Sequence, residues 1–225
     1  MSYQTLDFTR SITKKQIVAL TGLMLIVFVL MHLAGNLFIF GGPKPFNTYA
    51  GTLEHFGILL KMAEWGLFFV FLIHVTFTAF VVCENIAARG MTRYAVDNSR
   101  GPRSIATRLM PYSGTYLVIY LIWHLFDFTW ASHKGQLTFI HGKSLGLYGL
   151  VVNTFKDPMH SWLYVIAMGF LALHLAHGVE SCIQTFGLND KRFVAQFRKF
   201  SQWFALVIML AYSSIPLYVL YILKV

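Results

Sequence analysis

The chain has 225 residues, 56% of them hydrophobic and only 12% charged, with a formal charge of +9. A water-soluble domain carries roughly twice that charged fraction, so a soluble globule is excluded. The positive residues sit in stretches between apolar runs rather than along one basic face, which argues against nucleic acid as a partner.

Runs of about 20 apolar residues mark helices that cross a membrane, and this chain has five. The fold class expected is therefore an all-α membrane protein, a single domain over 1–225. The polar start, 1–16, carries Arg10, Lys14 and Lys15. It reads as an interfacial entry segment rather than a cleaved signal. The first span is expected at about 17–40 and carries His32. Turn formers fill 41–51, and 52–63, with Glu54, His55 and Lys61, reads as a short amphipathic piece at the surface. The second span, about 64–88, begins at Glu64 and carries His74. Arg89, Arg93, Arg100, Arg103 and Arg108 follow. The third span, about 109–131, holds His124 and Asp127. A long loop, 132–158, leads to the fourth span, about 159–186, with His174 and His177. A basic link precedes the fifth, about 202–223, which Pro216 is expected to kink.

Lys and Arg set the orientation. The start of the chain and the links after the second and fourth spans hold twelve, and the other connections and the C-terminus hold six. The N-terminus is expected in the cytoplasm and the C-terminus outside. Basic inner segments also suit anionic lipid.

Ionisable residues inside a membrane are costly and point to function. Four of the spans each hold one near the middle. His32 and His124 lie about 15 residues into the first and third spans, which run the same way, and at ~1.5 Å per residue their depths match. His74 and His174 lie about 14 and 12 residues short of the inner ends of the second and fourth, and match each other. Neutral imidazole is a good iron ligand, so the four residues read as axial ligands of two haems. Gly35, Thr78 and Gly178, a turn beyond His32, His74 and His174, would leave room for a flat group on the same face. Phe128 holds that place beside His124. The other reading of each histidine is a side chain bonded to a neighbouring helix, and His177 is an alternative to His174. Absence of C-x-x-C-H excludes covalent haem attachment, and Cys83 and Cys182 read as buried thiols.

At these positions the chain resembles a known family. LMHLAGN (30–36), LIHVTFTAF (72–80), LIWHLF (121–126) and LHLAHGVESCIQTFGLN (173–189) are similar to the five-helix, dihaem cytochrome b subunit of succinate dehydrogenases and fumarate reductases. The resemblance spans essentially the whole chain, and the last piece is the most specific. It implies a membrane anchor for a flavoprotein carrying covalent FAD and an iron–sulfur subunit, both docked on the cytoplasmic face of a bacterial or archaeal inner membrane. It implies two haem b, the proximal on His74 and His174, the distal on His32 and His124, with His177 not a ligand because some relatives have Asn there. It implies exchange of electrons with menaquinone near the distal haem, where an acidic residue handles quinol protons. Glu64, Glu54 and Asp127 are candidates, with His55 behind them and Glu64 first. One branch has a Glu at the position of Ala172, so that proton device is not expected here. Arg103 and Arg108 would pair with haem propionates, or serve as topological charge. The succinate or fumarate site would lie on another chain. The rival readings are the dihaem cytochrome b of a hydrogenase or formate dehydrogenase, and a haem-free transporter or scaffold.

Overall fold

Inside a bilayer a backbone has no water to bond with, so apolar segments of this length close their hydrogen bonds on themselves as helices. The computed structural model describes residues 11–89, 105–130, 138–187 and 192–223. In chain order it contains α1 (Ser11–Asn36), prolonged by a 3-10 turn (Leu37–Gly41), then α2 (Pro43–Glu54), α3 (Ile58–Arg89) and α4 (Ile105–Leu125), prolonged by a π turn (Phe126–Trp130). An antiparallel ribbon follows, β1 (Phe139–Ile140) on β2 (Lys143–Ser144), with Phe139 opposite Ser144. The chain ends in α5 (Gly146–Phe155), α6 (Pro158–Thr185) and α7 (Val194–Tyr221). Five of these, α1, α3, α4, α6 and α7, are long and apolar enough to cross a membrane, which makes this a multi-pass membrane protein.

The five expected spans are present with shifted ends, and two expected loops are helical. α3 starts at Ile58, not 64. Leu59, Leu60, Met62 and Ala63 are strong helix formers, and the chain turns earlier, at Gly57, whose φ of 50° suits glycine. The turn formers of 41–51 do not make a loop. Gly42, at φ 88°, ends the 3-10 turn, and Pro43 opens α2, where its missing N–H costs no helical bond. In the expected loop 132–158, residues 138–158 hold the ribbon and α5. Asp157 then caps α6 by accepting from the His160 backbone N–H at 3.0 Å. α7 runs through Pro216 to Tyr221 as one helix.

α6 is the centre of the bundle, packed on α1, α4 and α7, while α3 rests on α1. Small residues allow the close crossings: Ser161 and Ala167 on α6, Ser201 and Ala205 on α7 are all buried. Where α1, α6 and α7 meet, Leu33, Leu175, Ala205 and Ile208 form one core. A second core closes the end away from the N-terminus. There α2 and α5 pack over α6 and α7 through Phe46, Tyr148, Val152, Phe155, Tyr164 and Ile215. Asn47 ties this cap together: its amide donates to Leu145 O at 2.8 Å and its side-chain oxygen accepts from the Tyr148 N–H at 3.0 Å. Cys182 is buried as expected. Cys83 is exposed, a correction that follows from α3 packing closely on α1 alone among the described residues.

Gly149 of α5 permits this cap. A Cβ there would overlap the carbonyl oxygen of Thr138, which is held in place by the Leu145 N–H at 2.8 Å. Gly149→Ala is expected to cost about 1–3 kcal/mol by overpacking. Gly169→Ala, with nothing within 4 Å of the added carbon, is expected to stabilise by about 0.5–1 kcal/mol because alanine favours helix. Melting temperatures in detergent check the pair, and equal values would contradict the packing described.

Candidate functional site: two histidine pairs between helices

The structure brings the four span histidines together as two couples. The rings of His32 (α1) and His124 (α4) stand 5.9 Å apart, centre to centre, and those of His74 (α3) and His174 (α6) stand 6.4 Å apart. A metal–imidazole bond of about 2 Å on each side, plus the half-widths of the two rings, puts ring centres about 6 Å apart. The same spacing also suits edge-to-face packing of two rings, so other features must distinguish them. One is the backbone. Among the described residues, neither α1 with α4 nor α3 with α6 is a closely packed helix pair. The histidines face each other across gaps between helices held together by their other neighbours. The second is chemical. Among the described residues, two buried side-chain polar atoms lack a hydrogen-bond partner, His124 Nδ1 and Thr78 Oγ1. One belongs to a pair, and the other lies a turn from His74. Such orphans are rare in finished interiors and point to an unplaced group.

The His74–His174 couple has a supporting shell. His74 Nδ1 lies 3.0 Å from Thr21 Oγ1, and His174 Nδ1 lies 3.4 Å from Ser113 Oγ. Glycines follow both hydroxyl residues. A Cβ on Gly22 would lie 3.3 Å from His74 Cε1, and one on Gly114 would lie 3.5 Å from His174 Cε1. Gly178 has open space around it, as a flat neighbour would need.

The His32–His124 couple lies in aromatic surroundings. Phe28 stacks on His32 at 5.3 Å, and Tyr120, Phe128 and Tyr164 surround His124 at 5.2–6.1 Å. Tyr212 closes on His32 at 6.3 Å and donates to Val29 O at 2.7 Å. Gly35, expected to leave room beside His32, is instead covered by the Tyr49 ring, with the Tyr49 oxygen 2.7 Å from where a Cβ would be. Beyond Tyr49 opens a cavity of about 170 Å³ bordered by His32, Asn36, Phe46, Leu53 and Leu147.

The acidic candidates separate clearly. Glu64 is exposed and bonds Lys61 at 2.7 Å one turn away. Glu54 and His55 are exposed, and His55 Nδ1 is spent on Gly51 O at 2.8 Å. Asp127 is mostly buried in the π turn. Its Oδ2 accepts the Tyr164 hydroxyl at 2.6 Å and lies 2.8 Å from His160 Nε2. Tyr164 also touches His124, so the carboxylate is one residue removed from the pair. Arg108 is exposed at the start of α4, and Arg103 lies outside the described residues. At that basic end Lys14 pairs with Glu84, and Arg198 Nε with Glu180 at 3.1 Å. It is His174 whose ring meets that of His74; His177 stands one turn further along α6.

Reading the sequence missed the supporting shell, although a signal for it exists. Thr21-Gly22 precedes His32, and Ser113-Gly114 precedes His124, each glycine ten positions before its histidine. The hydroxyl and glycine of each motif serve one couple and its histidine the other. Ten residues of helix are about 15 Å, so α1 and α4 set the same separation between the two couples. Among the described residues no three His, Cys, Asp or Glu side chains converge as they would around a metal held by protein alone. The donors come in twos. Comparison with protein-family models, with curated proteins and with solved structures gives no match for this chain.

Proposed function

We propose that this chain is a dihaem cytochrome b, the membrane anchor of a succinate dehydrogenase or fumarate reductase, working between cytoplasmic iron–sulfur and flavin subunits and membrane menaquinone. The observation that carries it is the pairing of four intramembrane histidines at 5.9 and 6.4 Å across helix gaps. Two protein nitrogens per centre are what an iron needs when a porphyrin supplies the other four. The orphaned His124 Nδ1 and Thr78 Oγ1 and the open side of Gly178 fit a bound flat group. His74 and His174 would hold the proximal haem and His32 and His124 the distal one. Bound haem supplies one-electron carriage.

What the chain itself does is hold, exclude and protonate. The imidazoles fix two sites along the bundle, and the rings of Phe28, Tyr120, Phe128 and Tyr164 line the distal one. Asp127, bonded by His160 and Tyr164, is the candidate that can hold a proton close to the distal pair. The basic end would face the cytoplasm and its acidic partner surfaces.

The absorption spectrum of the dithionite-reduced chain tests the reading: a b-type α-band with two haems per polypeptide is expected. A colourless, folded protein would refute it in favour of a haem-free scaffold. Co-purification with a covalent-flavin protein separates this reading from a hydrogenase or formate dehydrogenase subunit.

A further inference from the structure

We infer that Thr21 and Ser113 are positioning residues that set the tautomer of His74 and His174, so that both imidazoles of the inner pair donate from their second nitrogen. The inference rests on the haem reading above. A hydroxyl has one proton to give. Thr21 Oγ1 gives its proton to Ile17 O at 2.7 Å, and Ser113 Oγ gives its own to Met110 O at 3.0 Å. Each can then only accept from the imidazole it touches, at 3.0 Å for His74 and 3.4 Å for His174. Nδ1 therefore carries the hydrogen in both rings, and at His74 the Val18 carbonyl is a second acceptor beside Thr21. Nε2 keeps its lone pair, the form a metal-ligating histidine takes.

The placement is reciprocal. Each hydroxyl comes from a helix that does not supply a histidine to that couple, and each is followed by a glycine where a Cβ would meet the ring it orients at 3.3 or 3.5 Å. Ser113 is fully buried and Thr21 nearly so, so water does not replace them. A ligating imidazole that donates from its second nitrogen is more basic and favours the oxidised metal. The inner centre is therefore set lower in potential than its two-histidine ligation alone would make it.

The test uses the full-length chain with its haems, comparing Thr21→Val and Ser113→Ala with the conservative Thr21→Ser and Ser113→Thr. Redox titration followed at each α-band is the main readout, with electron paramagnetic resonance of the oxidised centres as the second. At a fixed ambient potential, the oxidised-to-reduced ratio of the inner centre is expected to fall about threefold in each hydroxyl-free variant. The outer centre should stay unchanged, and the conservative variants should restore the parent value. Loss of the inner haem in Thr21→Val with retention in Thr21→Ser would support the same role. Unchanged potential and resonance signature in both hydroxyl-free variants overturns it, while the haem assignment stands if His174→Ala still removes that centre. A wild-type chain that binds no haem overturns both.

Discussion

Replacing His174 by Ala is expected to halve the haem content, from two per polypeptide to one, while His177→Ala leaves both. His174 is the residue of α6 whose ring meets that of His74 across the gap, and Ser113 and Gly114 of α4 are shaped around it. Without it the inner site would keep a single protein nitrogen to hold the haem iron proposed above. The outer pair sits about ten residues of helix away and shares only the scaffolding of α1 and α4, so its haem should remain, with its α-band intact. Haem per polypeptide and the reduced-minus-oxidised spectrum measure both variants. Two haems in His174→Ala, or one in His177→Ala, would overturn the assignment of the inner ligands.

The second large effect is expected at Asp127. Asp127→Asn should leave both haems bound and lower quinol-linked electron transfer about 100-fold, the usual scale for a lost proton acceptor. The carboxylate is the acidic group of the candidate set that the fold carries inward, bonded by Tyr164 at 2.6 Å and His160 at 2.8 Å. Glu64 is exposed and spent on Lys61, so Glu64→Gln should change the rate little. Turnover with a menaquinol analogue, alongside haem content, reads both. Normal turnover in Asp127→Asn with loss in Glu64→Gln would move the proton site to α3. Tyr164→Phe adds a control: it removes one donor to Asp127 without removing the carboxylate, so a smaller loss than in Asp127→Asn is expected.

The sequence made the spans legible because lipid makes one demand everywhere along them: long apolar runs with closed hydrogen bonds. It also made the histidines stand out, since imidazoles among leucine and phenylalanine have few innocent uses. Their sorting into two couples followed from depth, because same-direction helices carry equal residue counts to equal heights. The extramembrane elements were not legible. Residues 41–51 look like turn formers, and 146–155 carry Gly146 and Gly149, yet 43–54 and 146–155 form helices because they bury Phe46, Tyr148 and Val152 against each other and against α7. Tertiary packing overrides local propensity at such places. Glu64 looked like the best acid for the same reason: a helix-start position says nothing of which side of the helix faces inward.

From residues alone came the class of molecule, the number of crossings, the four intramembrane imidazoles and the partner each would meet. Only the tertiary structure decided that Thr21 and Ser113 lie against the inner rings, that His124 Nδ1 has no partner among the described residues, and that Asp127 rather than Glu64 is bonded to Tyr164 beside the outer couple. Helical periodicity fixes height along an axis, but the rotation of one helix against another is set by side-chain packing between segments distant in the chain. These hydrogen bonds depend on that rotation.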